Sequence, residues 1–293
     1  SAGTELAVAA WPLILIPWLA ADYLVSLGLS FLQLEGKAVR YGLIQAGVVL
    51  GNVSVSLVLV VGLEMAWEGR LLGQVSAYLV FAVLAVGIVL RRVSLTTQAP
   101  IAQTKEILAY GGPTVIYILL DRSTALIDRG LVIAFLGLGV GGIYSLASQV
   151  AGLLMLAMSS FMLAWLPWLF AQLKKATLPS RRIAFLSMLA AGLFITVCGL
   201  VLVWIGPLLM PHVIQEKFWG LLEFLPWLCL AFVLRGYVII CTGVLLFARR
   251  TVAMAKVALV ASLINLILNL MLIPELGGKG AAIATCVSYA IGA

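Results

Sequence analysis

The chain reads as an all-α protein: a polytopic bundle of transmembrane helices built as two pseudo-symmetric, parallel-repeat lobes, the first of them truncated. Three observations predict this. Of its 293 residues, 64% are hydrophobic and only 10% charged, with a mean hydropathy of +1.19, whereas a water-facing surface needs roughly 25% charged residues. The apolar residues come in runs long enough to cross ~30 Å of hydrocarbon as helices, about 20 residues each. The chain also repeats itself. "LQLEGKAVRYGLIQAGVVLGNVSVSLVLVVGLEMAWEGRLLGQVSAY", starting at Leu32, slides onto "LLFARRTVAMAKVALVASLINLILNLMLIPELGGKGAAIATCVSYA", starting at Leu245. Lys37 then pairs with Arg250 and Asn52 with Asn265; after a small gap Gly69 meets Gly280 and Tyr78 meets Tyr289. Repetition at this distance marks a chain built from related halves.

Nine spans follow in order: about 6–33, 41–63, 71–90, 107–136, 141–171, 183–209, 221–247, 252–273 and 279–293, the last incomplete. Short loops join them, as in a bundle of antiparallel neighbours. The loops and helix ends after spans one, three, five and seven hold Lys37, Arg40, Arg91, Arg92, Lys105, Lys174, Lys175, Arg181, Arg182, Arg249, Arg250 and Lys256. The alternate loops hold only Arg70, Lys217 and Lys279. The positive-inside rule puts the richer set in the cytoplasm and residue 1 outside. Spans two and three are six crossings from their repeat mates, spans eight and nine, so both copies cross in one direction. The lobes are therefore related by an axis along the membrane normal.

The domain division expected is residues 1–91 for the last three helices of a first lobe, 92–106 for a polar, Pro-containing cytoplasmic linker, and 107–293 for a second lobe of six helices. Spans four to six have no repeat partners. Carrying the repeat offset back from Ile107 places the first helix of the opening lobe roughly a hundred residues before Ser1. Pro12, Pro17, Pro113, Pro167, Pro207 and Pro226 fall inside spans, where each removes a backbone donor and can bend its helix. Trp11, Trp18, Trp165, Trp168, Trp204, Trp219 and Trp227 lie mostly near span ends, as interfacial anchors do. Cys198, Cys229, Cys241 and Cys286 sit in apolar runs without CxxC spacing and read as small apolar fillers; His212 lies in a short loop with no clustered ligands. No metal site and no cofactor is expected.

Charges at membrane depth cost at least ~2.5–3.5 kcal/mol on insertion scales, so they need partners or water. Asp22 lies midway along span one and Arg235 midway along span seven, and the repeat offset aligns the two. Span four carries "YILLDRSTALIDRGLVI". Asp121 and Asp128 are seven apart, as are Arg122 and Arg129, so each pair stacks along one stripe of the helix. These six charges are the candidate cavity-lining residues, with Gln149 added; Asn265 and Asn269 read as interhelical hydrogen-bonding groups. Internal ion pairing is one reading of the cluster. Arginines offered to a polyanionic substrate are the other, because guanidinium suits bidentate phosphate contacts. No HExxH, Walker loop, GxSxG or His–carboxylate pair is present, so no catalytic residue is assigned. The Gly-rich "GLGVGG" before Ile143 reads as an outside loop between spans.

Two stretches carry a resemblance. "DRGLVIAFLGLGVGGIYSLASQVAGLLMLAMSSFMLAWLPWLF" (Asp128–Phe170) is similar to the seventh-to-eighth helix region of polysaccharide, or O-antigen, flippases. "LIPELGGKGAAIAT" (Leu272–Thr285) is similar to their penultimate loop and last helices. These flippases belong to the multidrug/oligosaccharidyl-lipid/polysaccharide (MOP) exporter superfamily. The resemblance implies a two-lobed fold of twelve or fourteen helices working by alternating access. It implies a transporter and not an enzyme, moving undecaprenyl-pyrophosphate-linked oligosaccharide from the cytoplasmic to the outer leaflet of a bacterial inner membrane. A coupling ion, H+ or Na+, is a further expectation, as is contact with membrane lipids but not with nucleic acid. Only Asp128 and Arg129 carry over to a motif of that family. A multidrug/cation antiporter of the same superfamily is the alternative, and would use membrane carboxylates for cations where a flippase uses Arg for anions. A membrane glycan polymerase is disfavoured by the short outside loops.

Overall fold

The computed structural model describes residues 2–65, 67–91 and 101–293. Residues 92–100 of the expected linker lie outside the described residues, as do the side chains of Trp11 and Pro12; from Ile101 the linker's remainder is already helix. The chain forms two compact units, Ser1–Gln98 and Ala99–Ala293. Among the described residues every regular element is a helix. Large apolar side chains face outward along them, Leu138 at 78% exposure and Val83 at 74% among them. A helical surface of this kind suits hydrocarbon, where only internally hydrogen-bonded backbones survive.

The first unit holds α1 (Ala2–Leu34), α2 (Ala38–Leu57) with a π-helical turn at Val58–Gly62, and α3 (Trp67–Leu90). Helix α3 packs against both α1 and α2, around Ala21, Val25, Leu29, Val48 and Ala82. Small residues set the approach, as expected where apolar burial cannot separate helix from lipid: Gly28 lies against Ala85 and Gly73 against Ser56.

The second unit holds α4 (Ile101–Lys174), α5 (Leu178–Val213), a 3-10 turn at Glu216–Phe218, α6 (Leu221–Phe247), α7 (Thr251–Leu276) and α8 (Gly278–Gly292). Helix α4 contains two expected spans. Its helical geometry breaks at Gly137 alone (φ 85, ψ 169), and Gly141 then lies against Ile133, so the chain folds back into two legs, 101–136 and 138–174. The expected Gly-rich loop is thus a one-residue break. With α4 counted as two legs, the described helices correspond to the nine expected spans. Helix α5 starts where Thr177 accepts from the Ser180 amide, with proline in the first turn. Helix α4 packs on α5, α6, α7 and α8, and α8 also packs on α6 and α7. The core runs through Tyr144, Met158, Leu169, Ile195, Leu225, Leu228 and Ile273.

The internal contacts of the two units follow the repeat register. The α1–α2 turn closes with Lys37 N–H to Leu32 O and Gly36 N–H to Gln33 O; the α6–α7 turn closes with Arg250 N–H to Leu245 O and Arg249 N–H to Leu246 O. Both are helix C-terminal motifs that satisfy otherwise orphaned carbonyls. Gly69 sits against the Leu59 backbone and Gly280 against the Leu272 backbone, four residues that the repeat alignment pairs. A side chain at either glycine would meet a main chain.

Candidate functional site

The polar interior of the second unit is assembled by α4, α6, α7 and α8. Asp128, on the first leg of α4, is 4% exposed. Its Oδ1 accepts from Asn269 Nδ2 at 2.7 Å and its Oδ2 from Thr285 Oγ1 at 2.6 Å. Asn265 and Asn269 are four apart on α7 and therefore share a face; both are fully buried, and Asn269 Nδ2 also reaches Asn265 Oδ1 at 3.0 Å. Thr285 comes from α8, beyond the turn that Gly277 makes at φ 62.

Hydrogens are unevenly spread over the cluster: the Asn265 side-chain Nδ2 is buried with no acceptor and Asn269 Oδ1 with no donor. Thr285 has one hydroxyl hydrogen, yet both Asp128 Oδ2 and Ala281 O, at 2.9 Å, stand within its reach. Asn269 has two amide hydrogens and three acceptors in range: Asp128 Oδ1, Asn265 Oδ1 and Asn265 O. A cavity of about 40 Å³ adjoins the cluster, lined by Asp128, Arg129, Tyr144, Ser148, Arg235 and Tyr289. That is room for water or a bare ion and far less than the several hundred Å³ of a drug-sized site.

Two turns earlier on α4, Asp121 accepts from Arg235 of α6, Oδ2 to Nη2 2.5 Å, with side chains 20% and 16% exposed. The Arg235 guanidinium lies over the ring of Tyr289, 5.9 Å from its centroid, and its Nε is buried without a partner. Asp121 opens on a second, larger cavity of about 80 Å³ between α4, α6, α7 and α8. Its walls are mostly apolar, with hydroxyls from Tyr117, Thr124, Thr242, Ser262, Ser288 and Tyr289. Thr124 and Ser262 lie 3.2 Å apart, and Tyr117 and Thr242 3.5 Å.

Of the residues singled out from the sequence, Asp121, Asp128, Arg129 and Arg235 come together here. Arg122 and Gln149 are exposed on the surface of this unit. Asp22 belongs to the first unit, half-buried and within electrostatic range of Tyr78, which meets Trp18 edge-on. Its aligned position is thereby matched in kind: Asp22 neighbours Tyr78 as Arg235 neighbours Tyr289. The guanidinium at Arg235 is engaged by Asp121, whose partnership was not readable from the repeat. Sequence reasoning also missed Thr285, Tyr117 and Tyr144 as parts of the site. The i, i+4 spacing of Asn265 and Asn269 was the signal available for α7. Among the described residues no group of three or more His, Cys, Asp or Glu could hold a metal ion.

No family model and no curated protein matches the chain. Solved structures do. An outward-facing multidrug resistance MATE family transporter of the MOP superfamily matches with a TM-score of 0.75 at 14% identity, covering 90% of this chain and 62% of that one. A MOP superfamily transporter from Pyrococcus furiosus, described as having a binding pocket of reverse polarity that suggests a different function, matches at TM-score 0.76 and 15% identity, covering 94% and 66%. An Asp-to-Asn mutant of a Vibrio cholerae MATE transporter matches at 0.70 and 17%, again covering 94% and 66%. The chain thus has the fold of MATE transporters of the MOP superfamily, and spans 62–66% of the length of these three.

Proposed function

We propose that the chain forms the membrane-spanning machinery of a cation-coupled exporter, with Asp128 as the group that takes up and releases the coupling proton or sodium ion. The observation that carries this reading is a deeply buried carboxylate met by one amide and one hydroxyl and, among the described residues, by no cationic nitrogen within 4.0 Å. A buried carboxylate without a paired cation is costly unless it is hydrogen-bonded throughout or neutralised. Gain and loss of one positive charge at Asp128 therefore changes how α4, α7 and α8 hold together, which is what an alternating-access cycle needs. The chemistry is transport, with no bond made or broken in the substrate. The fold likeness to multidrug transporters supports this antiporter reading over a flippase, as does the neutralisation of Arg235 by Asp121. The test uses full-length protein in proteoliposomes with an imposed proton or sodium gradient. D128N should abolish gradient-driven export of a fluorescent organic substrate while the protein stays folded; export by D128N at the wild-type rate would overturn the reading.

A second reading keeps one observation of its own. Arg129 lines the Asp128 cavity and has no carboxylate within 4.0 Å among the described residues, so it is free to meet a pyrophosphate in a lipid-linked oligosaccharide flippase. Cells lacking the protein would then accumulate lipid-linked oligosaccharide on the cytoplasmic side, and R129A would fail to relieve the accumulation. On either reading the proposed location is a bacterial cytoplasmic membrane, with the basic loops on its cytoplasmic side. Residues 92–106 serve as the connection between lobes, with 1–91 and 107–293 as the lobe parts they join.

A further inference from the structure

The larger cavity has a property that neither reading assigns. Among the described residues Asp121 is the only charged one on its wall, and that charge is already met by Arg235, which reaches it from the neighbouring Asp128 cavity. What remains is an apolar chamber edged by hydroxyls, with no net charge to offer. We infer that this cavity takes the hydroxyl-bearing end of uncharged amphipathic compounds, and that Arg235 sets the preference by occupying the carboxylate a cationic ligand would otherwise use.

The geometry gives the reasons in order. A cation entering the chamber competes with a tethered guanidinium that is half-buried, hydrogen-bonded to Asp121 and backed by the Tyr289 ring. An anion finds its natural partner, Arg235, engaged elsewhere. An uncharged compound displaces nothing charged, and a hydroxyl on it can donate to hydroxyl oxygens on the wall. Those hydroxyls are held in place: Thr124 bonds Leu120 O and Ser288 bonds Thr285 O. The Arg235 Nε, buried and without a partner, marks a guanidinium held by one strong bond rather than locked by several. Removing Asp121 therefore leaves a free cation beside the chamber, and removing Arg235 leaves a free anion in its wall. Charge selectivity should invert between the two variants, which a merely structural ion pair would not produce.

This inference rests on the exporter reading for its biological meaning, but its test does not. Purified full-length protein in detergent is titrated with three single-ring probes of similar size, phenyltrimethylammonium, benzenesulfonate and 4-tert-butylphenol, and binding is followed by calorimetry. The wild type should bind the phenol at least about tenfold tighter than either ion. R235Q should gain at least about tenfold for phenyltrimethylammonium, and D121N about as much for benzenesulfonate. The neutral double variant D121N/R235Q should return to the wild-type order. Single variants whose ion affinities stay within about threefold of wild type, or a wild type that prefers either ion, would overturn the inference. If a single variant does not fold, the double variant decides: loss of the phenol, or gain of either ion, overturns it as well. Because no gradient is involved, inverted selectivity beside an export assay that D128N leaves unchanged would sink the coupling role and keep this site.

Discussion

Arg249 adopts φ 55 at the helix-end position where Gly36 adopts φ 68 in the first repeat. The two turns carry the same pair of backbone hydrogen bonds, yet only one has the residue for which the left-handed region is free of strain. The Arg249 side chain reaches Glu106 at 2.6 Å, but the two are 73% and 66% exposed, and such a pair contributes little. R249G should therefore raise stability, by up to about 1 kcal/mol, and G36R should lower it by a similar amount. Thermal unfolding in detergent measures both, and a clear loss of stability in R249G would show that the ion pair outweighs the strain.

Gly137 is where α4 reverses, at φ 85 and ψ 169. That region is essentially closed to residues with a Cβ, at a cost of order 1–3 kcal/mol. G137A should lower the unfolding temperature. G142A, in the helix a few residues on and with nothing near its Cα, should raise stability by about 0.5–1 kcal/mol. Equal effects of the two would mean that the break at Gly137 tolerates a side chain.

Gly280 faces the Leu272 carbonyl too closely to accept a methyl group. G280A must push α8 away from α7, and overpacking of this kind costs typically 1–3 kcal/mol. Since Thr285 lies on α8, the displacement also loosens its bond to Asp128. Lower thermal stability and slower export are expected together; stability loss with wild-type export would separate the α7–α8 contact from the site.

Thr285 and Asp128 should be energetically coupled. T285V removes the donor and strands a buried carboxylate oxygen, which costs about 1–3 kcal/mol. In a D128N background the same substitution should cost less than about 1 kcal/mol, because no charge is left uncompensated. A double-mutant cycle on thermal stability reads the difference. Additive effects would mean that Asp128 is already neutral in the resting protein.

Arg235 and Asp121 should behave likewise, with a larger penalty. Breaking a half-buried pair from one side costs up to about 3–5 kcal/mol, while neutralising both costs far less. D121N and R235Q should each destabilise more than the D121N/R235Q double variant does, by the same thermal assay. A double variant less stable than both singles would remove the ion pair as the cause.

The class of the molecule was legible in the sequence because a transmembrane helix satisfies its own backbone. Length, apolarity and the side on which basic residues fall are then properties of one segment at a time. The repeat register was legible for a related reason: Gly36 with Arg249, and Gly69 with Gly280, occupy positions set by local turns and close backbone approach, and these recur with the segment. The break at Gly137 was misread as a loop because a single residue in a glycine-only conformation carries no more composition signal than a short flexible turn.

Which charges meet was decided only in the folded chain. Asp121 and Arg235 lie on different helices, and their bond depends on the rotation and depth of α4 against α6. The same holds for Asp128, whose partners Asn269 and Thr285 come from α7 and α8. Helical periodicity places Asp121 and Asp128 on one stripe but does not say which neighbour that stripe faces. Sequence therefore determined that buried charges existed and must be compensated, since an uncompensated charge in hydrocarbon is too costly to keep. Tertiary packing chose the compensation: a guanidinium for one carboxylate, and for the other an amide and a hydroxyl.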